Sequence, residues 1–195
     1  MRNGVECPGL ERHEGTHRRC FLFADVRERG EMKWLWLTSE FVRKVRYEMR
    51  FGELSRAPLK LLRVEVCGQS AECEWLARTS DPWDCDVPAE TREQNETFQA
   101  LHDALKIRDL LFSSIPEIQS AGLNVYRQTA LDSRELIITG AVSREDAPPR
   151  RVSSLVMRAK LYGLRFRLEG GTLGPLDRKL PPSIFAMETS CHGET

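Results

Sequence analysis

"VPAETREQNETFQALHDALKIRDLLFSSIP", residues 87–116, is the stretch on which the reading of this chain turns. Asp86 can cap a helix, and Pro88 suits a first turn, where its missing N–H costs nothing. From there Phe98, Leu101, Leu105 and Phe112 recur at helical spacing, and Ala104, Ile107 and Leu111 widen the stripe. Pro116 forbids continuation. The pattern predicts a helix to about Ser113 with one buried face.

On the N-terminal side of this helix, period two dominates. In "KVRYEMRF", residues 44–51, Val45, Tyr47, Met49 and Phe51 alternate with Lys44, Arg46, Glu48 and Arg50, which reads as a half-buried strand. Pro58 breaks it. "LLRVEV", residues 61–66, then sets Leu62, Val64 and Val66 on one face and Arg63 and Glu65 on the other. "GQSA" is a turn signal and "ECEWLAR", residues 72–78, a return strand carrying Trp75. This half reads as an antiparallel meander.

On the C-terminal side come "LNVYRQ", residues 123–128, a turn at "ALDSR", and "ELIITGAV", residues 135–142, as two strands. "PPRRVSSLVMRAKLYG" follows as a second helix: Val152, Leu155, Val156, Ala159 and Tyr162 hold helical spacing, and Gly163 suits a left-handed C-cap. "LRFRLEGG" closes the pattern with Leu164, Phe166 and Leu168 inward and Arg165 and Arg167 outward. The expected fold is α+β: a largely antiparallel sheet in the order β-β-β-α-β-β-α-β, with two helices packed on one face. Residues 42–173 form the expected domain, 1–41 an irregular N-terminal segment and 174–195 a poorly ordered C-terminal tail.

Composition narrows the class. Hydrophobic residues are 41% and charged residues 30% of 195, as in a soluble globular chain. Net charge is zero, so no global field steers the molecule to nucleic acid or anionic lipid. The first residues lack the apolar core of a secretory signal. The longest apolar run, near Trp34–Leu37, falls far short of the ~20 residues that span a bilayer. The expected location is the cytoplasm, with six cysteines kept as thiols.

One segment has the residue types of a metal site. "CPGLERHEGTHRRC" brackets His13 and His17 between Cys7 and Cys20. Two cysteines and two histidines are a ligand set for tetrahedral zinc, and His-x3-His can project from one helical turn. The Cys-x2-4-Cys knuckle is missing, however, and Gly15 weakens a helix between the histidines. Cys7, His13, His17 and Cys20 are therefore expected to be scattered. No cofactor is expected, with zinc as the one candidate.

Elsewhere the chemistry is sparse. Cys67, Cys73 and Cys85 read as small semi-buried thiols, the first two on opposite faces of a hairpin. Asp81, Asp84 and Asp86 surround Trp83 in "DPWDCD", where turn formation and helix capping account for them. His102 sits beside the buried stripe as a solvated or hydrogen-bonded histidine. No Gly-rich phosphate loop, His-Glu-x-x-His or nucleophile elbow is present. Charge is unevenly spread: residues 68–103 carry nine acids against Arg78 and Arg92, and 144–167 carry seven bases against Glu145 and Asp146. Arg158, Lys160, Arg165 and Arg167 make a candidate basic face, with Tyr162 nearby for stacking.

From Ala89 onward the order helix-strand-strand-helix-strand resembles the BON domain. The residues carrying the likeness lie within 89–171: "ELIITGAVSRED", with Gly140 after the apolar run, and "AKLYGLRF", with Gly163 ending the second helix. The resemblance implies that topology, in a small module associated with phospholipid or envelope binding. It carries over no functional residue. The chain departs from it in its extra N-terminal strands and in lacking an export signal and a tandem copy. The reading of function is then a non-enzymatic cytoplasmic binding or interaction module of unknown ligand. A protein partner is favoured over nucleic acid. The alternatives are a nucleic-acid or acidic-partner binder using residues 144–167, and a small enzyme with an unrecognised site.

Overall fold

The structure, a computed structural model, describes residues 17–81, 83–129, 133–146 and 152–177, with side chains from residue 33 onward. The chain divides into two compact units, residues 1–36 and 37–195. Within the first, residues 17–36 are helical, and Leu35 and Trp36 are exposed. Cys7 and His13 of the candidate zinc set, and the tail beyond residue 177, lie outside the described residues.

The elements are α1 (His17–Glu48), β1 (Lys60–Cys67), β2 (Ser70–Leu76), α2 (Ala89–Ser114), β3 (Ser120–Gln128), β4 (Arg134–Ser143), α3 (Leu155–Leu161), β5 (Arg165–Glu169) and β6 (Thr172–Gly174). A 3-10 turn at Asp84–Asp86 precedes α2. The fold is α+β, with a mostly antiparallel six-stranded sheet in the order β1-β2-β3-β4-β5-β6.

Two expectations change. Residues 44–48, read as strand, belong to α1, so the segment expected to be irregular up to residue 41 is helical from His17. The cause is visible in the spacing. Leu37, Phe41, Val45 and Met49 recur every fourth residue and are all buried, whereas Tyr47 is 85% exposed. The i, i+4 stripe outweighs the alternation that shares two of its members. Secondly, β3 runs parallel to β2, with α2 as the crossover between them, and only β1–β2, β3–β4, β4–β5 and β5–β6 are antiparallel. The expected meander is thus a hairpin followed by a β-α-β unit. A short extra strand, β6, pairs with β5 inside the glycine-rich segment that followed the last expected strand.

One face of the sheet carries Ala71, Cys73, Trp75, Ala121, Leu123, Val125, Ile138 and Val142, all buried. Its register places Cys73 beside Leu123, and Leu123 beside Gly140. α2 covers this face. Leu101, Ala104, Ile107 and Leu111 are fully buried and Leu105 and Phe112 nearly so, as the stripe predicts, but Phe98 is 43% exposed. Gln99, Asp103 and Leu110, on the far side of α2, are buried as well. A helix buried nearly all round has neighbours on more than one side. α3 is one of them: the Arg108 guanidinium lies 4.0 Å from the centroid of the Tyr162 ring.

α3 begins where Ser154 caps it by accepting from the Met157 N–H, and it ends at Gly163, whose φ is +81°. A Cβ on Gly140 would stand 2.6 Å from the Gly163 carbonyl oxygen. This contact lets the chain pass from α3 into β5 directly against β4 and gives Gly140 a packing reason to be glycine; a Cβ on Gly163 would in turn stand 2.8 Å from the Ala141 carbonyl oxygen.

Candidate functional site

The segment between α1 and β1, residues 50–57, crosses α2 as a strap, and buried polar groups hold it there. Arg78, at the end of the β2 segment, donates from Nε to Asp103 Oδ2 at 2.8 Å, from one terminal nitrogen to the Met49 carbonyl at 2.6 Å, and from the other to the Ala57 carbonyl. Both side chains of the Arg78–Asp103 pair are almost fully buried. Gln99 donates to Asp103 Oδ1 at 2.9 Å and accepts from the Leu54 N–H at 2.7 Å. Burial pushes the Asp103 carboxyl up from its ordinary value, and the hydrogen bonds and charge of Arg78, with Gln99, pull back against it.

Smaller bonds finish the strap. Gly52 N–H donates to the Ser55 carbonyl, Ser55 Oγ donates to the Thr79 carbonyl, and Lys106 Nζ donates to the Glu48 carbonyl. A Cβ on Gly52 would meet the Gln99 amide at 2.5 Å, so any larger residue there would displace the side chain that bonds Asp103 and Leu54.

The strap and the loop before α2 enclose an open cleft of about 540 Å³, lined by Phe51, Gly52, Glu53, Leu54, Ser55, Arg56, Asp81 and Asp84. Phe51 is 59% and Leu54 46% exposed, and Trp83, on the same loop as Asp81 and Asp84, is 84% exposed. Asp81 shapes its own loop by accepting from the Trp83 N–H at 3.2 Å, and its carbonyl accepts from the Asp84 N–H at 2.9 Å. Glu53 Oε1 lies 3.1 Å from His102 Nε2. The arrangement joins one apolar wall, Phe51 and Leu54, to three carboxylates and one guanidinium. It can hold an apolar side chain flanked by cations.

A second, smaller cleft of about 240 Å³ lies where β2 and β3 end side by side, lined by residues that include Thr79, Glu96, Arg127 and Ile137. Its polar groups are engaged within the fold. Glu96 accepts from the Ser80 N–H at 2.9 Å, and Arg127 donates to the Leu173 carbonyl at 2.8 Å.

The candidate basic residues fall in two places. Arg158 and Lys160 are on α3, and Lys160 Nζ lies 5.7 Å from the centroid of Phe166. Arg165 and Arg167 alternate with Phe166 along β5, so they project from the opposite side of the sheet. Arg167 pairs with Glu169 at 2.6 Å. Arg144 is drawn inward, donating to the carbonyls of Phe112, Ile115 and Ile118 at the end of α2.

His17 and Cys20 stand in the first turn of α1. Among the described residues no group of three or more His, Cys, Asp or Glu side chains is placed to share a metal ion. Cys67 and Cys85 are exposed thiols and Cys73 a buried one. Cys67 pairs with Ser70 across a two-residue turn, shorter than the hairpin loop expected, and Cys73 pairs with Val64, so the two sulfurs do project from opposite faces. Burial pushes the Cys73 thiol far up, with the Glu74 charge adding to it.

Sequence reasoning placed the aspartates of "DPWDCD" but missed the strap, and with it Phe51 and Leu54. The available signal was the i, i+4 row from Leu37 to Met49, which ends the helix just before the strap. Among the described residues, no helix is long and apolar enough to cross a membrane. Comparison with protein-family models, with curated proteins and with solved structures gives no match.

Proposed function

We propose that this chain is a non-enzymatic interaction module of the cytoplasm whose contact surface is the cleft between the strap and the loop before α2. One observation carries the reading: Phe51 and Leu54 stand exposed along the strap wall of a preformed cleft, with Trp83 exposed on the loop that supplies the other wall, where a monomeric surface ordinarily keeps such groups apart. Aromatic and aliphatic groups at the centre of a patch, with charge at its rim, are the composition of a protein-binding surface. The carboxylates of Glu53, Asp81 and Asp84 outnumber the single Arg56, so the fitting partner is a protein segment that sets an apolar side chain between lysines or arginines. Free thiols at Cys67, Cys73 and Cys85 suit a reducing compartment. The dispersal of Arg158, Lys160, Arg165 and Arg167 over two faces favours a protein partner over a phosphate backbone.

The test is selection from a displayed library of random peptides. Wild type is expected to enrich sequences that combine a basic pair with an aromatic or aliphatic residue, and Phe51→Ala with Leu54→Ala is expected to lose them. Enrichment indifferent to that double substitution, or none at all, contradicts the reading.

A further inference from the structure

β1 is the outer strand of the sheet, and among the described residues its backbone ladder is with β2 alone. Natural edges are usually blunted by proline, brevity or an inward charge. β1 is eight residues long, has no proline, and carries its one irregularity near its start, between Leu61 and Arg63. The rest of the strand is a usable template.

The hairpin turn fixes which groups point outward. Gly68 and Gln69 form a two-residue turn, with Gly68 at φ +57°, so Cys67 and Ser70 are the closing hydrogen-bonded pair. Alternation then turns the N–H and C=O of Glu65 toward Glu72 on β2, and those of Val64 and Val66 away from the sheet. Side chains alternate too: Val64 and Val66 are half-buried on the side of the helices, while Arg63 and Glu65 are exposed on the other.

We propose that two copies of this chain pair antiparallel along β1 about a two-fold axis through Val64, joining their sheets into one. In that register the two Val64 residues exchange both backbone bonds. Arg63 then lies opposite Glu65 of the second copy, twice over, in the non-hydrogen-bonded pairs where Cα atoms approach to about 4.5 Å. The neighbouring registers that keep outward groups facing each other centre on Glu65 or on Arg63. They oppose two glutamates or two arginines. Only the Val64 axis is self-complementary, as an isologous contact must be.

On that face of the β1–β2 hairpin, carboxylates gather about Arg63. Glu65 lies opposite Glu72 and Arg63 opposite Glu74, with Arg63 bonded to Glu65 and 3.9 Å from Glu72. A second Arg63 arriving from outside meets Glu65 in this setting.

The experiment is sedimentation or light scattering of the full chain across concentration, with charge reversals. Wild type is expected to reach twice the mass of one chain. Arg63→Glu and Glu65→Arg alone each set like charges across the axis and should weaken association at least about tenfold. An equimolar mixture of the two variants restores both opposite-charge pairs and should recover the two-chain mass, a recovery that misfolded variants could not show. The proposal is overturned if wild type stays at the mass of one chain. It is equally overturned if either variant associates like wild type, or if the mixture stays at the one-chain mass.

Discussion

Two arginine–carboxylate pairs of this molecule have the same chemistry and opposite fates. Arg78 and Asp103 meet at 2.8 Å with side chains 0% and 2% exposed, whereas Arg63 and Glu65 meet on the outer strand with 48% and 47% exposed. The first pair has no water to fall back on. Every polar atom it can offer is spent on Met49, Ala57 and Gln99, and the strap that forms the cleft hangs from it. The second pair is screened and keeps room for further partners. Burial therefore decides whether an ion pair builds the fold or remains available to another chain.

The largest effect should come from breaking the buried pair. Asp103→Ala leaves the Arg78 guanidinium dehydrated and unpaired, a change that typically costs about 3–5 kcal/mol, measurable by chemical denaturation. Leu101→Ala, at the apolar centre of the same helix, should cost about 2–5 kcal/mol in the same assay. A loss at Asp103 no greater than that of a surface substitution would erase the contrast between the two pairs.

At the exposed pair, Glu65→Ala should shift the stability of the single chain by no more than about 1 kcal/mol, since solvent and salt already discount such contacts. The measurement belongs at low protein concentration, where self-association does not contribute. A loss of several kcal/mol would mean that the outer strand is held as firmly as the strap.

Thiols sharpen the comparison without changing stability. Cys67 and Cys85 should be alkylated in the native protein, and Cys73, buried with its thiol pushed far up, only after unfolding, as peptide mapping by mass would show. Equal native labelling at Cys67 and Cys73 would mean that the β1–β2 hairpin does not keep its two faces apart.

The legible part of the fold was the part in which one period rules. Leu101, Leu105 and Phe112 announced α2 because no other spacing fits them, and Leu62, Val64 and Val66 announced β1 in the same way. Val45 and Met49 fit both an alternating strand and a four-residue stripe, and only Leu37 and Phe41 upstream settle the matter for a helix. Parallel pairing of β2 with β3 depends on where α2 returns the chain, which neither strand's own residues record. Of the site, Asp81, Asp84 and Trp83 were visible as a loop. Arg78 and Asp103 were not, because a buried charge has the same letter as a solvated one.

The most direct test of the account is amide hydrogen exchange on Asp103→Asn, which keeps the shape of the side chain and removes its charge. If the Arg78–Asp103 pair suspends the strap, the Gly52 and Leu54 amides, which donate to Ser55 and Gln99, should lose most of their protection while the β3–β4 ladder keeps its own. Unchanged protection at Gly52 and Leu54 would contradict it.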